Sequence, residues 1–166
     1  MSTERVRGVI FDATCTQDVA DYLRARTGGG TSGYFAPSVE QVRAFELRLR
    51  PALERGRAEP ETLLPMPADR EQRADMRWGV RSALDEILAQ YARYRRQYAG
   101  VVLASGAWRV LASSFPEARV GERDEFPDWT TRWLGDAVDD GGADYWRIQY
   151  DLVSGRFSAF DVNGSA

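Results

Sequence analysis

Two runs of strict alternation close the sequence and limit its fold more than any other feature. Tyr145, Arg147 and Gln149 alternate with Trp146, Ile148 and Tyr150, and beyond Asp151 to Gly155 the residues Phe157, Ala159 and Asp161 alternate with Ser158, Phe160 and Val162. Strand side chains point to opposite faces in turn, so period two on both sides of a Ser154-Gly155 turn predicts a hairpin. The first half repeats differently. Ser38 with Gln41 forms a capping-box pattern behind Pro37, and Val39, Val42, Phe45, Leu49 and Leu53 recur at helical spacing. Pro51 is expected to kink or end this helix. A longer helix is expected from about Asp69, with Met76, Val80, Ala83, Ile87, Tyr91, Tyr94 and Tyr98 on one stripe. Helices first and strands last predict an α+β fold in which N-terminal helices pack on one face of a C-terminal antiparallel sheet.

With 166 residues and 43% hydrophobic content, the chain is expected to form one domain over 1–166. Residues 1–33 form a leading segment, 34–99 are mainly helical and 100–166 mainly antiparallel strands. Val6, Val9, Ile10 and Phe11 predict a short strand, and Thr16 a cap for a helix carrying Val19, Tyr22 and Leu23. Gly28 to Gly33 read as a flexible connector and Glu59 to Pro67, with three prolines, as a linker within the domain. Val101 to Ala104 and Trp108 to Ala112 flank a Ser105-Gly106 turn and predict a further hairpin. A short helix is expected from Pro127 to Trp133.

Residue types that are missing narrow the chemistry. The sequence has no histidine, which removes the commonest general base and every Ser-His or Cys-His pair. All 22 basic residues are arginine, so neither Schiff-base chemistry nor a P-loop lysine is open to it. Cys15 stands alone, which excludes an intrachain disulfide and a cysteine-rich zinc site and agrees with a reducing compartment. No run approaches the about 18 apolar residues of a membrane span, so a cytosolic location is expected. A cofactor is not expected.

Charge is gathered rather than spread. Glu117 to Asp144 holds nine carboxylates against three arginines, a local net of −6 in a chain of net −3. Within this segment Glu122, Asp124, Glu125, Asp128, Trp129, Asp139, Asp140 and Asp144 are the candidate partner-binding residues, since tryptophan beside charge is favoured at protein interfaces. Asp136, Asp139, Asp140 and Asp144 fit no metal-binding spacing and read as a solvated turn, so no metal is expected. Tyr98, Tyr145 and Arg147, with Asp140 and Asp144, are the candidates for a pocket between helices and sheet. The interleaved tyrosines and arginines of Tyr91 to Tyr98 resemble a nucleic-acid surface. On a helix, however, the tyrosines turn inward and Arg93 and Arg96 form a solvated rim, and a pI near 5.1 disfavours phosphate backbones.

Val9-Ile10-Phe11-Asp12, followed by Thr16, resembles the opening strand of haloacid-dehalogenase-type phosphotransferases. Thr14 replaces the second aspartate of that pattern, and the alternating βα order of that fold is absent. A broader likeness runs through Tyr34-Phe35-Ala36-Pro37, Tyr94 to Gly100, and Asp140-Gly141-Gly142-Ala143-Asp144-Tyr145-Trp146 to Val162-Asn163-Gly164. From Tyr34 onward the chain resembles small bacterial proteins with a helical first half and a cystatin-like or NTF2-like C-terminal sheet. It is also similar to toxin immunity proteins. That resemblance implies a non-enzymatic protein that neutralises a partner, here a basic toxin domain, by stoichiometric binding, with neither nucleic acid nor membrane involved. A ligand-binding protein or enzyme, and a phage or secretion subunit, are the competing expectations.

Overall fold

In the computed structural model, which describes residues 8–12, 19, 30–120, 125–134 and 141–163, Ser38 caps the first helix as its sequence predicts. Its hydroxyl accepts from Gln41 N at 3.2 Å, and Gln41 Oε1 accepts from Ser38 N at 2.8 Å. Helix α1 spans Val39–Ala58 and runs through Pro51 without ending there. The carbonyl that loses its partner to Pro51 belongs to Leu47, which is 80% exposed, so the lost bond lies on the solvent side and the apolar stripe continues to Leu53. After a single 3-10 turn, Pro60–Thr62, helix α2 spans Arg70–Ala89 with Asp69 capping Gln72 N at 2.9 Å.

The second helix is shorter than its sequence predicts. A 3-10 turn, Tyr91–Arg93, breaks it, and Tyr94 already opens a strand. Residues four apart share a face in a helix and in a strand alike, so Tyr94 and Tyr98 keep their common direction while the backbone between them is extended. Arg96, two positions from each, therefore joins them inside instead of forming a rim; it is 4% exposed.

Six strands are described: β1 (Gly8–Ile10), β2 (Thr31–Phe35), β3 (Tyr94–Leu103), β4 (Trp108–Pro116), β5 (Gly142–Asp151) and β6 (Phe157–Asn163). From β3 to β6 they form an antiparallel meander. The other edge of β3 carries two short strands end to end. β2 lies antiparallel against Gly100 to Leu103, and β1 lies parallel against Arg96 to Tyr98. The sheet is thus mixed, a correction to the antiparallel sheet expected from the sequence. Thr31 to Gly33, expected to be part of a connector, form a strand with Tyr34 and Phe35 because β3 supplies their partners. Gly100 admits it: a Cβ there would meet Phe35 O at 2.4 Å.

One core joins Val42, Phe45, Leu49 and Leu53 of α1 and Leu84 and Ile87 of α2 to one face of the sheet. That face presents Tyr94, Tyr98, Val110, Ala112, Trp146, Ile148, Tyr150, Phe157 and Phe160. Simple alternation puts Phe157 and Phe160 on opposite faces. A bulge corrects this, because Arg147 pairs with Asp161 and Gln149 with Ser158, leaving two residues of β6 against one of β5. Ala159 takes the strained position at φ 52°. The outer edge of β6 is also tied at one point, Phe160 N donating to Leu63 O at 3.2 Å.

The opposite face is covered as well. Ala99, Val101 and Leu111 pack with Phe11, Val19 and Trp133, and Phe115 packs with Phe126, Leu134 and Tyr145. Pro127 to Trp133, expected to be helical, instead form turns and bends across this face. The expected helix cap at Thr16, like Cys15, Gly28 and Gly29, lies outside the described residues. Among the described residues no helix is long and apolar enough to cross a membrane.

Candidate functional site

The pocket expected around Tyr98, Tyr145 and Arg147 is filled. The three side chains do not even share a face, since Tyr98 lies under the helices while Tyr145 and Arg147 lie on the far side of the sheet. The Tyr98 hydroxyl donates to Glu46 Oε1 at 2.7 Å, and the same carboxylate takes Arg96 Nη1 at 3.1 Å on its other oxygen. Tyr91 and Trp146 flank that guanidinium with ring centres 4.6 and 5.6 Å from its carbon. Burial, followed by the charge of Glu46, holds the Tyr98 phenol well above its ordinary range. Arg147 donates through Nη2 to Asp161 at 2.9 Å and to Asn163 Oδ1. Tyr145 stands edge-on to Phe126, ring centres 6.3 Å apart, and its phenol is raised chiefly by burial.

The described part of the acidic segment between Glu125 and Leu134 lies over the sheet, with its charged side chains at the surface. Arg119 binds Glu125 at 3.2 Å and Arg132 approaches Asp128 at 3.8 Å, all four well exposed. Glu117 pairs with Arg95. Trp129 is half-buried against Phe115, ring centres 5.9 Å apart, and Asp144 is half-buried at the start of β5. Glu122, Asp124, Asp139 and Asp140 lie outside the described residues, as does Asp136. Among the described residues no group of three or more metal-ligating side chains converges.

What fastens this segment is a residue that the sequence does not announce. Gln97, fully buried on β3, donates through Nε2 to Trp129 O and Arg132 O, each at 2.6 Å, and accepts from Leu134 N at 2.7 Å through Oε1. One amide thereby satisfies three backbone groups of an irregular stretch that would otherwise be stranded in the interior. Nothing in the local pattern marks it, because a glutamine in a strand is ordinarily a solvent-facing residue.

A second surface also escaped the sequence reading. On the outer side of α2, Trp78 is 74% exposed beside a groove of about 550 Å³ lined by Arg70, Arg73, Ala74, Arg77, Trp78 and Arg81. The spacing of these residues, three or four apart, is legible in the sequence, whereas the groove between them depends on the packing of α2 against α1. Comparison with protein-family models, with curated proteins and with solved structures gave no match.

Proposed function

We propose that this chain is a non-enzymatic protein-binding protein, an immunity-type inhibitor that meets a basic toxin domain through its acidic surface. The observation supporting this reading is the occupation of the expected pocket by the protein's own groups: Tyr98, Tyr145 and Arg147 are all under 9% exposed and each has an internal partner or packing contact. A chain with neither imidazole nor lysine side chains, and with these three groups occupied internally, acts by complementarity of surfaces. The carboxylates Glu125, Asp128 and Asp144 with the edge of Trp129 form the described part of that surface. Glu122, Asp124, Asp139 and Asp140 extend it in sequence. Negative potential there steers a cationic partner into encounter and screens out like-charged ones. The same reading places its action in the cytosol and its build near cystatin-like or NTF2-like folds, which likewise set helices against a curved meander.

Affinity capture from the native host, followed by mass spectrometry, is expected to recover a basic protein in 1:1 ratio, encoded beside this chain. Association should weaken at least tenfold between 50 and 300 mM salt, and Glu125→Arg with Asp128→Arg should slow binding more than dissociation. Recovery of no protein partner, together with a gene neighbourhood lacking a toxin, overturns the proposal.

A further inference from the structure

We infer that the outer groove of α2 is a second docking site, one that takes an acidic segment of a partner protein. Arg70, Arg73, Arg77 and Arg81 lie on one flank of Trp78, while by helical geometry Glu71 falls nearly in line with Trp78 and Asp75 on its other side, so the charged side chains that line the groove are all arginines. Two of these four cations, Arg73 and Arg81, are held by neutral atoms. Arg73 donates through Nε to Pro67 O at 2.9 Å and through Nη2 to Ala68 O at 3.0 Å. Arg81 donates through the same two atoms to Arg57 O at 3.2 Å and Ala58 O at 3.1 Å, the last carbonyls of α1. Only Arg77 spends its charge, on Glu61 at 2.9 Å.

The carbonyl contacts fix the guanidinium planes without cancelling them. Their remaining N–H groups are oriented in advance, which lowers the ordering cost of binding a carboxylate. Trp78 supplies what a cationic row alone lacks, a rigid apolar anchor at its centre. Tryptophan and arginine are the side chains that most often dominate binding energy. The row from Arg70 to Arg81 is about 16 Å long at 1.5 Å per residue, enough for about five residues of extended chain or three turns of helix.

Carboxylates suit the site better than a phosphate backbone. The chain is net −3, so a long polyanion meets overall repulsion that a short acidic segment, held within about one Debye length, does not. The chain's own acidic residues 125–134 cannot fill the groove, because they pack on the opposite face of the sheet. This site is therefore independent of the acidic surface proposed above.

The test is fluorescence anisotropy of the full chain with a labelled twelve-residue peptide of Glu-Glu-Leu repeats, against a Lys-Lys-Leu peptide and a twelve-nucleotide oligothymidylate. Saturable binding of the acidic peptide alone is expected, weakening at least tenfold from 50 to 500 mM salt. Trp78→Ala and Arg70→Glu should each weaken it at least tenfold while leaving the thermal unfolding midpoint unchanged, as both residues are exposed. Absence of saturable binding, unchanged affinity in the Trp78→Ala variant, or tighter binding of the oligonucleotide than of the peptide overturns the inference.

Discussion

Gln97 shows how much can rest on one side chain. Leucine has nearly its volume but none of its polar atoms, so Gln97→Leu strands two carbonyls and one N–H that are now satisfied within the sheet covering. Each stranded group costs about 1–3 kcal/mol, and the substitution is expected to lower stability by about 3 kcal/mol or more in urea titration. Tryptophan fluorescence should report early loosening, since Trp129 and Trp133 belong to the stretch that Gln97 holds. None of this was legible in the sequence. The partners of Gln97 are 32 to 37 residues away, and local pattern carries no trace of contacts at that distance.

At the level of elements, the bulge in β6 is the point where regular alternation gives way. Both phenylalanines of β6 belong in the helix-side core, and period two cannot deliver residues three apart to one face. The extra residue does so at the cost of a left-handed backbone at Ala159. Glycine adopts that conformation without the Cβ penalty. Ala159→Gly should therefore raise stability by about 0.5 to 1 kcal/mol, seen as a higher urea midpoint with unchanged slope. The elements themselves were legible to differing degrees. Capped helix starts and both hairpins were readable, because their signals are local. The end of α2 was not, since tyrosines four apart satisfy helix and strand equally, and β2 was not, since a Thr-Ser-Gly run becomes a strand only when another strand pairs with it.

Across the whole molecule, the core beneath the helices encloses phenols that resist ionisation. Tyr98 is raised by burial and then by Glu46, and Tyr94 by burial and then by Asp144, with its hydroxyl donating to Ala143 O at 2.8 Å. In the unfolded chain these groups titrate near their ordinary value of about 10. Above that pH the unfolded state sheds protons that the folded state retains, so stability is full below about pH 10 and falls as pH rises toward the folded values. Circular dichroism between pH 9 and 12 should show cooperative alkaline unfolding. Tyr98→Phe should be less stable at neutral pH, losing a hydrogen bond to a carboxylate, yet show a shallower decline with pH. The candidate surfaces belong to this scale too. The acidic one was legible as a run of charge, whereas the basic groove on α2 depends on how Arg73 and Arg77 are held by the connection between the helices and Arg81 by the end of α1, contacts that no local pattern announces.

The last strand is one margin of the described sheet, and the other is formed by the short strands β1 and β2. A straight, unpaired margin would offer a template on which further chains could add and grow into fibrils. Here the bulge at Ala159 and the bond from Phe160 to Leu63 interrupt the ladder that such growth would copy, which disfavours stacking of further chains along β6.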